Sequence, residues 1–166
     1  MTYSIRQMIP ETRPQDLEAL VPAYLSIWNH PENRPFLSFT GQPFEEAQIR
    51  GWFSQHIAAG VRYFAAFGLD DQLVGILVVR VNAIEGFELF SLGVIPGEKR
   101  HGVATQLVRH GIEVASAQGY RSVDGQVYAT NVPMLHLLLS EGFVPIRMEH
   151  HRGSMGEDIV HLKRYS

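Results

Sequence analysis

A chain of 166 residues, 45% hydrophobic and 19% charged, can bury a core and is too apolar to be disordered. Its formal net charge of −3 argues against a nucleic-acid partner recruited by bulk electrostatics, and the absence of cysteine excludes disulfides, thiolate zinc sites and a cysteine nucleophile. No apolar run is long enough to span a bilayer and the first residues carry no leader-like stretch, so a soluble cytoplasmic protein with no membrane partner is expected, as one domain over residues 1–166.

Residues 3–8 alternate weakly and read as an opening strand, and residues 10–14 as a turn. From 14 to 29, Leu17, Leu20, Val21, Tyr24, Leu25 and Trp28 fall on one helical stripe, and Pro22 inside it predicts a kink or a break. Residues 30–43 hold three prolines, one glycine, Phe36 and Phe39; this longest irregular segment is a candidate binding wall. A second helix is expected over 44–59, entered by Pro43, with Glu45 and Glu46 at its positive end. Ile49, Trp52, Phe53, His56 and Ile57 line one face, where His56 reads as a half-buried packing residue.

Strands follow at 61–67, 73–81 and 87–95, with Asp70-Asp71 in the first turn. Short connections predict an antiparallel meander, with the nearly continuous apolar run 73–81 at its centre. A helix over 103–118 ends at Gly119, and the strand at 121–128 that it leads to should run parallel to 87–95. A short helix over 131–140 has Asn131 as N-cap, Pro133 in its first turn and Gly142 beyond its end. Strands at 143–149 and 158–163 close the chain around a polar loop. Glu149-His150-His151 does not suggest a metal site, because neighbouring strand residues face opposite sides.

The chemistry concentrates between Leu92 and Thr105, where a strand gives way to a polar turn and then to a helix. The start of a helix has four backbone N–H groups without partners and about half a positive charge. Small residues at Gly102 and Ala104 would let a phosphate approach them, and Lys99 and Arg100 add charge. Lys99, Arg100, His101, Gly102, Val103, Ala104 and Thr105 thus form a candidate pyrophosphate cradle. Gly97 and Gly102 have the spacing of a P-loop, but Val103 stands where its lysine must be, and the dinucleotide glycine fingerprint is absent.

Val94-Ile95-Pro96 followed by Lys99-Arg100-His101-Gly102-Val103-Ala104 resembles the GNAT superfamily of N-acetyltransferases, whose pattern is Q/R-x-x-G-x-G/A after a strand ending V-x-P. Lys99 departs from it, replacing a fork with a point charge. Asn131, Leu137, Gly142 and Phe143 resemble a second family pattern, N-x-x-A-x-x-L-Y-x-x-x-G-F, with Met134 at the alanine and Leu138 at the tyrosine. The order of elements is the family's over nearly the whole chain.

The resemblance implies an α/β (α+β mixed sheet) architecture, the acyl-CoA N-acyltransferase fold: a central, mostly antiparallel sheet with one parallel strand pair, flanked by helices. It implies acetyl-CoA as cosubstrate, no metal, and direct acetyl transfer to a primary amine of a small molecule or peptide in a ternary complex. The strand at 87–95 should bulge and splay, exposing the backbone of Leu92 and Val94 to the pantetheine, with Asn131 touching the same arm. N–H groups around 92–94 would face the thioester oxygen, Gly93 easing the approach or serving as the bulge residue. Glu88, or alternatively Glu85, is the implied catalytic base. With leucine at 138, the proton for the leaving thiolate comes from Tyr128 or His136, or the thiolate leaves unassisted. An acyl-CoA-binding module with weak or no catalysis is the alternative that Leu138 permits. The amine acceptor is not legible, and the resemblance also admits a homodimer through the final hairpin.

Overall fold

The computed structural model describes residues 2–38, 40–82, 86–153 and 156–166; Phe39 and Glu85, both named above, lie outside them. Seven strands form one sheet in the order β1-β2-β3-β4-β5-β7-β6. They are β1 Ser4–Met8, β2 Val61–Phe67, β3 Leu73–Asn82, β4 Gly86–Val94, β5 Ser122–Tyr128, β6 Val144–Glu149 and β7 Ile159–Tyr165. The helices are α1 Pro14–Asn29, the single turn α2 Arg34–Leu37, α3 Glu46–Ala58, α4 Val103–Ala117 and α5 Val132–Ser140. β4 and β5 are parallel and every other neighbouring pair is antiparallel, as expected of a crossover through α4.

The period of a strand explains the central position of β3. Leu77 and Val79 enter the core beneath Leu107 and Val108 of α4, while Ile76 and Val78 enter a second core with Leu20, Tyr24 and Trp28 of α1 and Phe53 of α3. A strand buried on both faces needs a continuous apolar run, and β3 has one. Among the described residues, no helix is long and apolar enough to cross a membrane.

Several local expectations are corrected. α1 is not broken at Pro22. The proline lacks one N–H, but Leu20 and Val21 before it and Tyr24, Ile27 and Trp28 after it are all buried in one core, and that stripe holds the helix together. α3 begins at Glu46, not Phe44. Glu45 is its N-cap through a reciprocal capping box with Gln48, so Pro43 stays outside the helix. Residues 30–43 are not wholly irregular, because they contain α2.

The bulge in β4 lies at Phe90, since Val78 pairs with Ser91 and Val79 with Leu89. Gly93 has another purpose: α1 packs so closely that a Cβ there would collide with Ile27 and lie 2.9 Å from Trp28 Cζ3. Two other glycines seat α4. A Cβ at Gly75 would lie 2.8 Å from Val103 Cγ1, and one at Gly111 would lie 2.8 Å from Leu89 Cδ2.

Candidate active site

β4 and β5 pair only at Phe87–Val123, Glu88–Asp124 and Leu89–Gly125. Beyond the bulge they part, and a cavity of about 220 Å³ opens between Phe90, Ser91 and Leu92 on one side and Gln126, Val127 and Tyr128 on the other. Leu77, Val108, Asn131, Met134 and Leu138 line it towards α4 and α5, and Tyr24, Trp28, Phe36, Phe44, Trp52 and His56 towards α1–α3.

The N–H of Ile95 donates to Val74 O of β3 at 2.9 Å. Successive strand residues direct their peptide groups to opposite edges, so Leu92 and Val94 turn theirs into the notch. The Val94 carbonyl is engaged there by buried Asn33, whose Nδ2 donates to it at 3.1 Å and to Ile27 O at 2.9 Å. One amide thereby ties the end of α1 to the end of β4.

The turn from 99 to 105 follows directly. Arg100 and Gly102 both have positive φ, 66° and 85°, and Gly102 is the N-cap of α4 with no side-chain cap over the first amides. A Cβ on Gly97 would meet nothing within 4 Å, and one on Gly102 only Gln106 Nε2 at 3.8 Å, so the corner is open to a ligand. Val103 is buried and offers only its backbone, whereas Ala104 and Thr105 are half-buried. Lys99 Nζ pairs with Glu32 at 3.1 Å; His101 Nδ1 lies 3.4 Å from Glu98, which also accepts the Tyr3 hydroxyl at 2.9 Å. Arg100 is exposed beside them. This donor set of backbone amides and cations fits a pyrophosphate.

The profile of the Acetyltransferase (GNAT) family matches residues 18–143, a span that takes in most of α1, the notch, the open corner and α5. The chain belongs to that family. Solved GNAT structures share its fold at low identity. A ribosomal-protein-alanine N-acetyltransferase from Brucella melitensis superposes with a TM-score of 0.78 at 19% identity, covering 98% of this chain and 99% of that one. A spermidine N-acetyltransferase chimera from Vibrio cholerae and hSSAT gives 0.80 at 14%, covering 99% and 96%. A phosphinothricin acetyltransferase from Sinorhizobium meliloti, solved with AcCoA, gives 0.77 at 16%, covering 99% and 89%.

In this GNAT chain Glu88 of β4 lines the cavity. Its Oε2 accepts from Arg80 Nε at 2.9 Å and from a second nitrogen of the same guanidinium, and its Oε1 accepts from Gln126 Nε2 at 3.0 Å. Arg80 also stacks on the ring of Phe90, 4.9 Å from its centroid. Asn131 lines the cavity and caps α5, its Oδ1 accepting from Met134 N at 3.4 Å. Leu138 is buried in the wall, so no hydroxyl stands at that position. Of the two substitute acids, Tyr128 lines the cavity, and burial above all, with Glu157 adding, raises its pKa. His136 is exposed on α5 and is not part of the lining.

Three participants escaped the sequence reading. Asn33 gave no signal beyond its place in a proline-rich segment. Arg80 and Gln126 become partners of Glu88 only through register, since β3 pairs Arg80 with Glu88 and the notch sets Gln126 opposite. His56, read as packing, also lines the cavity; its Nδ1 lies 2.8 Å from the Tyr63 hydroxyl and burial lowers its pKa.

Proposed function

We propose that this chain transfers the acetyl group of acetyl-CoA to a primary amine by direct attack within a ternary complex, in the cytoplasm and as one domain. The observation that carries this is an open strand edge aligned with an uncovered helix start. β4 turns the peptide groups of Leu92 and the Val94 N–H to the edge that β5 leaves uncovered, the Val94 carbonyl being held by Asn33, and a short turn over residues 95–102 leads from that strand to the amides that open α4. A carrier with two linked phosphates on a long amide-bearing arm matches both.

In this reading, Lys99 to Thr105 hold the pyrophosphate, the lysine exchanging Glu32 for phosphate. Leu92 and Val94 pair with the pantetheine, and Asn131 contacts it. An N–H in the 92–94 segment faces the thioester oxygen as it gains charge. A carboxylate accepts about four hydrogen bonds, and the three on Glu88 leave one position on Oε1 for a water or the ammonium itself. Glu88 takes the proton there, the amine attacks, the C–N bond forms and the C–S bond breaks. The thiolate takes a proton from Tyr128 or leaves without help. A homodimer through the β6–β7 hairpin belongs to the same proposal.

The experiment is release of free thiol from acetyl-CoA with a mixed panel of primary amines. Turnover supports the transferase. Leu138 favours one other reading, an acyl-CoA-binding module, which predicts saturable binding of acetyl-CoA with no turnover on any amine.

A further inference from the structure

The side of the cavity formed by α1–α3 and Phe90 is aromatic. Trp52, Phe36 and Phe90 are half-buried there and present accessible ring surface. They are backed by rings that fix one another: Phe44 packs edge-on to Trp52 at 4.9 Å and 70°, and Tyr24 stacks on Trp28 at 3.8 Å and 13°. A wall set in advance by such contacts loses little freedom when another ring joins it.

Charge narrows the choice of ligand. Glu88 is the only carboxylate among the described lining residues, and Arg80 and Gln126 already engage it. A polar depression beyond it contains Asp124, but that carboxylate is 3.2 Å from Lys163, and nearby Glu149 is 2.9 Å from Arg147. A polyamine or aminoglycoside would bring several ammonium groups to a surface whose carboxylates are already matched, and an unmatched charge resists losing its water. A single amine asks only for the remaining position on Glu88, and nearby rings favour it further through their faces. The acceptor also shares this cavity of about 220 Å³ with the thioester end, which favours a small group carrying one ring.

We infer that the acceptor is a small monoamine carrying an aromatic ring one or two carbons from its nitrogen. This rests on the transferase reading above and deepens it. Amine and ring of this kind occur in a free arylalkylamine and in a peptide beginning with phenylalanine; the small cavity favours the free amine, and the test separates the two.

The test uses the full chain with acetyl-CoA and compares kcat/KM for 2-phenylethylamine, n-butylamine, spermidine, kanamycin and a phenylalanine-initiated tetrapeptide. The expected result is phenylethylamine ahead of every other amine by about tenfold or more, the scale on which apolar pockets discriminate. Trp52→Ala should bring the phenylethylamine to butylamine ratio close to one. Should that variant fail to fold, the wild-type ranking and quenching of tryptophan fluorescence by phenylethylamine in the presence of coenzyme A decide the matter. Preference for spermidine or kanamycin, or equal use of butylamine, overturns the aromatic assignment while leaving the transferase intact. A better tetrapeptide overturns the assignment to a free amine. Binding of phenylethylamine without turnover of any amine supports the aromatic site and removes the transferase; absence of both removes both.

Discussion

Arg80 holds Glu88 by one oxygen only: both guanidinium contacts go to Oε2, and Oε1 is left to Gln126 across the notch. The carboxylate, which lines the cavity near the end of the β4–β5 pairing, is thereby fixed with three of its acceptor positions engaged. Glu88→Gln keeps the shape and removes the proton acceptor. We expect kcat to fall by about 10²–10⁴-fold with little change in KM for acetyl-CoA, measured by thiol release across pH. Full activity at every pH would assign the proton to water or another group.

The open corner of α4 allows a test that unfolding cannot mimic. An acidic residue in the first turn of a helix is stabilising, by about 0.3–1 kcal/mol. Thr105→Asp should therefore preserve or raise Tm. The same charge would stand where two phosphates are proposed to sit, so the Kd for acetyl-CoA should rise by about tenfold or more. Calorimetry and thermal melting on one sample read both effects, and unaltered affinity would move the phosphates elsewhere.

Asn33 satisfies two carbonyls, of Ile27 and Val94, with one buried amide. Asn33→Ala leaves both oxygens without that donor and should cost about 1–3 kcal/mol in denaturant unfolding. Asn33→Asp sets an acceptor against two acceptors and should cost more. The order wild type, alanine, aspartate in stability distinguishes this account from one based on lost volume, in which aspartate would be milder.

Burial lowers the pKa of His56 below its ordinary value of 6.5. The unfolded chain then binds a proton at a pH where the folded chain does not, so stability is retained above about pH 6.5 and falls as pH drops towards the folded value. His56→Gln should flatten this acid limb: the drop in Tm from pH 7.5 to 5.5 should be smaller than in the wild type. An equal drop in both proteins would assign the acid sensitivity to other groups.

The elements that sequence revealed best were those whose signals are local. The doubly buried run of β3, the Gly119 stop after α4, the Asn131 cap and the crossover that makes β4 and β5 parallel all follow from neighbouring residues. Pro22 misled because a local cost was outweighed by burial on a core that the local sequence does not show. Gly93 misled in another way, its missing side chain answering to α1 and not to a bulge. In the candidate site, the open start of α4 was legible because strand, turn and helix start adjoin in the chain. Glu88 was named from the family resemblance, but its partners Arg80 and Gln126 were not legible, because they meet it only after strands far apart in sequence fall into register.

The glycines at 75 and 111 have a metrical consequence. By letting α4 sink onto β3 and β4, they lock the helix start and the strand edge into one rigid gauge. In the proposed complex, the distance from phosphate perch to acyl carbon is then dictated by the protein and not by the donor. A carrier with an arm a few bonds too short would seat its phosphates or deliver its thioester, never both, and would behave as a competitor instead of a donor.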